Sequence, residues 1–116
     1  MELYHEIRDQ AYVLILSGNL DGDNAGEIDN LLKKALKSKK KNVLINCRNL
    51  NFISSAGIGV FLSNLPEYRE KNINLIFFGM NPGVKKVFTY LGLDTVLTIK
   101  DNLEEARFDT TPSVGL

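Results

Sequence analysis

The chain has 116 residues, 44% apolar and 24% charged, with 14 basic side chains against 14 acidic ones. That length suits one domain around a single core, and the balanced charge excludes an overall field for holding nucleic acid or an anionic membrane. One cysteine excludes an internal disulfide and points to a reducing, cytoplasmic setting, while no run is long enough to cross a bilayer and the opening MELYHEIRDQ lacks a signal-peptide core.

Two short extended segments come first, Leu3 to Ile7 and Tyr12 to Leu16, with Arg8, Asp9 and Gln10 placed to turn a hairpin. The run YVLILSG is apolar throughout and predicts a strand covered on both faces. A loop, GNLDGDN, leads to Ile28, Leu31, Leu32, Ala35 and Leu36, one stripe of a helix that Asp23 or Asn24 can cap. Lys37, Lys39, Lys40 and Lys41 close that helix, where cations favour the negative end of its dipole. NVLIN, Asn42 to Asn46, predicts a buried strand. After the junction that follows it, Ile58, Phe61, Leu62, Leu65 and Tyr68 mark a second helix, which Pro66 should kink or tighten without ending. Asn74 to Met80 is a further buried strand. Val84, Val87, Phe88 and Leu91 form a third helical stripe that Gly92 stops, Thr95 to Ile99 is a last strand, and Asn102 opens a short final helix. Strands alternating with helices predict an α/β domain with a mostly parallel sheet, made mixed by the opening hairpin. The tail DTTPSVGL, 109–116, is expected to fray, leaving 1–108 as the domain.

A conventional active site is hard to assemble from these residues. His5 is the single histidine and lies in the first strand, with nothing to orient it toward Ser54 or Ser55. Cys47 reads as a small apolar filler without a metal-spaced partner, and Asp21 and Asp23 as residues that cap or turn a loop. SSAGIG holds only two glycines of a dinucleotide fingerprint.

The informative stretch is LNFISSAGIGVFLSNL, 50–65, where a strand gives way to a helix through two serines and two glycines. With a helix starting near Ala56, Ser55 stands at the N-cap, and Gly57 and Gly59 leave the first turn thinly covered. One reading is capping and tight packing. The other uses the positive end of the dipole, which tolerates an anion there. A phosphate on Ser55 would leave the fold intact, yet a docked protein would have to bury a doubly charged group.

Three motifs carry a family resemblance: LSGNLDGDNAGEIDNLL, VLINCRNLNFISSAGIGVF and NLIFFGMNPGVKKVFTYLGLDTVLTI. Across nearly its whole length the chain resembles the STAS domains, and among them the bacterial anti-sigma factor antagonists. The resemblance implies a single-domain fold with a mixed, mostly parallel sheet, an N-terminal hairpin and about four helices. It implies that Ser55 is the phosphorylated serine, with Ser54 the second choice, since Gly57–Ile58–Gly59 sets the register. Asp21 would match the family's acidic loop residue and Gly57 its helix-start glycine. The expected binding surface comprises Asp21, Gly22, Asp23, Asn24, Ser54, Ser55, Ala56, Gly57, Gly59 and Val60. The implied partners are an anti-sigma factor that is also a serine kinase, bringing its own ATP and magnesium, and a serine phosphatase. No cofactor, metal, nucleic acid, membrane or catalysis by the chain itself is implied. Many such antagonists carry aspartate immediately before the acceptor, where this chain has Ser54. The alternative reading is a STAS module that senses a nucleotide or flavin within a larger regulatory assembly.

Overall fold

The computed structural model describes residues 2–8 and 11–108; the expected turn at Asp9 and Gln10 and the tail at 109–116 lie outside the described residues. Five strands, β1 (Glu2–Arg8), β2 (Ala11–Leu20), β3 (Asn42–Ile53), β4 (Asn74–Phe78) and β5 (Thr98–Lys100), form one sheet in the order β1-β2-β3-β4-β5. β1 runs antiparallel to β2 and every later neighbour is parallel, so the mixed sheet matches the expectation from sequence. The connections are α1 (Ala25–Lys37), α2 (Ser55–Glu70) and α3 (Pro82–Tyr90), and α4 (Leu103–Phe108) follows β5.

Alternation along the strands sorts the core onto two faces. Leu14, Ile45 and Phe77 stand in register and pack with Ile28 and Leu32 of α1, Phe61 and Tyr68 of α2, and Phe88 of α3. Phe77 meets Phe61 edge-on at 4.8 Å and Phe88 at 5.9 Å, both separations that aromatic quadrupoles favour. Buried Tyr68 donates its hydroxyl to the Leu32 carbonyl at 2.6 Å, so its polar atom is satisfied inside the core. On the opposite face Val13, Leu44, Ile76 and Phe78 pack with Ala106 and Leu103 of α4. Three helices thus share one face, because the strand order never reverses.

Several boundaries differ from expectation. β3 extends to Ile53, since its second half pairs with Ser17 to Leu20 after a register shift. β4 ends at Phe78, and β5 covers only Thr98–Lys100 because Leu93–Thr95 form a 3-10 turn after left-handed Gly92. Val87 and Leu91, read as part of the buried stripe of α3, are exposed; only Val84 and Phe88 reach the core. Pro66 sits inside a continuous α2.

Cys47 is 1% exposed with its thiol against the Ile45 carbonyl, and burial pushes its pKa up to about 12. A neutral, sealed thiol is a poor nucleophile. Cys47 is therefore expected to resist a thiol-specific reagent at neutral pH in the native protein and to react fully after unfolding. Rapid labelling of the folded chain, followed by colour release, would contradict this packing.

Candidate functional site

The carboxyl ends of β2, β3 and β4 lie at one edge of the sheet, as parallel pairing requires. Leu20 ends β2 and Ile53 ends β3, and the Ser54 N–H donates to the Leu20 carbonyl at 2.8 Å. This bond ties the start of α2 to the loop that follows β2.

The capping residue is Ser54 rather than Ser55. Ser54 has extended backbone angles, φ −89° and ψ 171°, and its hydroxyl accepts from the Gly57 N–H at 3.3 Å. Ser55 is the first helical residue and is exposed, whereas Ser54 is half-buried. Both serines are competent caps, so local sequence could not separate them. The tertiary bond to Leu20 decides. Aspartate and serine are both strong N-caps, so Ser54 fills the structural role that an aspartate there would also fill. Ser54→Ala is expected to cost about 1 kcal/mol, seen as a lower urea midpoint at unchanged m-value. An unchanged midpoint would remove the capping role.

Capping leaves other polar groups at this turn. The N–H groups of Ser55 and Ala56, at the first two helical positions, have no acceptor within the helix. They stand at the positive end of a 16-residue helix with no acidic residue in its first turn.

Gly57 is buried, and a Cβ added there would lie 2.6 Å from Leu20 Cγ and 3.0 Å from Ile53 Cγ1. Glycine thus lets α2 press flush against the ends of two strands. Gly59 is exposed, and a Cβ there would meet nothing within 4 Å.

The Asp21–Asn24 loop lies alongside. A Cβ on Gly22 would touch Ala56 Cβ at 4.0 Å. The loop organises itself. Asn24 accepts from the Asp21 N–H at 2.9 Å and donates to the Asn19 carbonyl at 2.8 Å, while Asp21 accepts from the Asp23 N–H at 3.0 Å. Asp21 therefore turns the loop, and exposed Asp23 faces solvent. Asn24 occupies the N-cap position of α1 yet spends its side chain on the loop. Among the described residues no group of three His, Cys, Asp or Glu is placed to hold a metal.

The structure thus brings together the Asp21–Asn24 loop and the Ser54–Gly57 turn. Gly59 follows on the exposed side of α2, and Val60 is half-buried against the core. His5 lies on β1 with its Nδ1 2.8 Å from the Tyr12 hydroxyl, an interaction within the hairpin.

Sequence reasoning missed two contributors. Phe52, next to the junction, is 53% exposed. Asn81 caps α3 by accepting from Val84 N–H at 2.7 Å, and donates to the Leu50 carbonyl at 3.0 Å, so the β4–α3 loop is tied to β3. The signal for Asn81 was the Asn-Pro-Gly string, a helix-start pattern. Phe52 gave none, because a lone aromatic in a strand reads as core.

A polar clamp ties α2 to α1. Asn64, 1% exposed, donates to Asp29 Oδ1 at 2.8 Å and to the Val60 carbonyl at 2.8 Å, and accepts from Lys33 Nζ at 3.0 Å. The Asn64 amide, with help from Lys33, holds the Asp29 carboxyl below its usual pKa of 3.8. A depressed carboxylate contributes stability above the unfolded pKa that is lost as pH falls through the folded one. The acid limb of a stability–pH curve should therefore flatten in Asp29→Asn, below pH 3.8. A superimposable curve would show that the clamp contributes nothing.

Comparison with known proteins agrees with this architecture. A family model described as the STAS domain matches residues 3–106. The anti-sigma-B factor antagonist of Staphylococcus aureus NCTC 8325 is 21% identical over 97 residues, 84% of this chain and 90% of that protein. The anti-sigma factor antagonist SpoIIAA in its unphosphorylated form superposes with a TM-score of 0.74 at 22% identity, covering 97% of this chain and all of that one. The Bacillus cell fate determinant SpoIIAA in its phosphorylated form gives a TM-score of 0.72 at 23% identity, covering 95% of this chain and all of that one.

Proposed function

Since this chain belongs to the STAS domain family, we propose that it acts as an anti-sigma factor antagonist whose binding is switched off by phosphorylation of Ser55. The unmodified protein binds an anti-sigma factor that is itself a serine kinase, and so frees the sigma factor. The kinase transfers phosphate from its own ATP to Ser55 Oγ, and a serine phosphatase restores the hydroxyl. The chain catalyses nothing itself and acts in the cytoplasm, without direct contact to nucleic acid or membrane.

One observation carries the reading. Ser54 performs the cap, which leaves Ser55 exposed at the first helical position without that structural duty. A phosphate on Ser55 would sit where the helix dipole and two N–H groups favour negative charge, so the domain tolerates it. Gly22 and Ala56, small and exposed, lie side by side next to Ser55, so this edge of the domain is open. A partner pressed against this edge would have to desolvate the dianion, which is costly. The names of the relatives support an antagonist role, and SpoIIAA has been described in both phosphorylated and unphosphorylated forms.

The direct test is reconstitution. Adding the unmodified protein to a purified anti-sigma–sigma complex from the same organism should release the sigma factor in proportion to the amount added. If the sigma factor stays bound at saturating protein, the antagonist role is wrong.

A further inference from the structure

At the opposite edge of the sheet the helices end, and their ends gather charge. Lys37, Lys39, Lys40 and Lys41 from the end of α1 and the turn after it line a groove with Lys71 from the end of α2, over a floor of Leu36 and Ile73. A chain with no net charge thus concentrates five of its 14 cations in one place. Stabilising the α1 terminus does not require all of them, because Lys34 and Lys37 already occupy its last turn, and Lys39, Lys40 and Lys41 lie beyond it. Lys39 adds a second observation. Its backbone is left-handed, with φ 61°, where glycine is the residue of least strain. A cation stands in a position that local backbone energetics would give to glycine.

We propose that this groove is a second docking surface, for an acidic segment of a partner protein that carries an apolar residue between its carboxylates. Charge complementarity supplies the attraction and the Leu36–Ile73 floor supplies the seat. Lys37, Lys39, Lys41 and Lys71 are exposed, which suits an extended acidic chain better than an enclosed small anion. The groove lining holds no aromatic side chain for base stacking and no arginine fork, which disfavours nucleic acid. The surface lies at the other edge from Ser55, so it does not depend on the state of that residue.

Fluorescence anisotropy tests the proposal with a labelled peptide of repeating Glu-Glu-Leu, an all-Glu peptide of equal length, a labelled DNA duplex and phosphatidylglycerol vesicles, all at physiological salt. The Glu-Glu-Leu peptide should bind tighter than the other three probes. The triple variant Lys37→Glu/Lys39→Glu/Lys41→Glu should weaken it at least about tenfold, as expected when several facing charges reverse. Lys41→Glu should weaken it more than Lys86→Glu, a charge-matched change on α3. Lys39→Gly should raise the melting temperature while weakening the peptide, a combination that a merely structural role for Lys39 would not give. Ser55→Glu should leave the affinity unchanged. Absence of peptide binding, tighter binding of the duplex or vesicles, or equal loss in Lys41→Glu and Lys86→Glu would overturn it.

Discussion

Ser55→Glu should lower affinity for the anti-sigma factor roughly a hundredfold, about 3 kcal/mol, while the melting temperature stays level or rises. The two effects separate because they act on different surroundings. In the isolated domain the new carboxylate stands at the first position of α2, where the dipole stabilises an anion by about 0.3–1 kcal/mol. Ser54 keeps its cap, so the helix start is unaltered. In the complex the same carboxylate must leave water against a partner that evolved opposite a small neutral hydroxyl. Calorimetric titration against the anti-sigma factor, paired with a thermal melt, reads both quantities. Unchanged affinity would remove Ser55 from the interface. A collapsed melting temperature would make it a structural residue instead.

The glycines of the same turn give the second large effect, and its sign differs between them. Gly57→Val should destabilise the domain by about 3 kcal/mol, because its Cβ would start 2.6 Å from the fully buried Leu20 side chain and the branched methyls have nowhere to go. To relieve that overlap α2 must lift off the ends of β2 and β3, displacing Ser55, so partner binding should fail as well. Gly59→Ala should do the reverse for stability. Its methyl enters open space and helix propensity improves by up to about 1 kcal/mol. On the proposed docking face, however, that methyl stands between α2 and its partner, so affinity should drop while the melting temperature climbs. Urea titration of both variants beside a binding curve checks the pair. A stable Gly57→Val would mean that the helix start is not pinned to the strand ends.

Much of this arrangement is legible in the residues themselves, for identifiable reasons. The stripe Ile28, Leu31, Leu32, Ala35, Leu36 predicts α1 because its burial is nearly continuous: Leu31 is partly buried against the core and the other four are buried, joined by Ala25 at the helix start. Apolar runs predict β2 and β4 because both faces of the middle of the sheet are covered. Periodicity failed at α3, where Val87 and Leu91 fit the stripe but the helix rests on β3 and the 3-10 turn with only Val84 and Phe88 buried, leaving the other two exposed. It failed again inside α2, since Asn64 occupies a core position as a polar clamp whose partners, Asp29 and Lys33, lie 35 and 31 residues away. The choice of cap between Ser54 and Ser55 is invisible locally, because the bond that makes it comes from Leu20 on another strand. Likewise the lysines after α1 read as ordinary helix-end charge until folding brings Lys71 beside them.

The central claim is that the exposed hydroxyl at the first position of α2 receives the phosphate. Incubating the protein with its anti-sigma kinase and ATP, then mapping the product by fragmentation mass spectrometry, tests this most directly. The account predicts a single phosphate on Ser55, absent from Ser55→Ala and retained in Ser54→Ala. Phosphate on Ser54, or an unmodified chain after complete incubation with an active kinase, would contradict it.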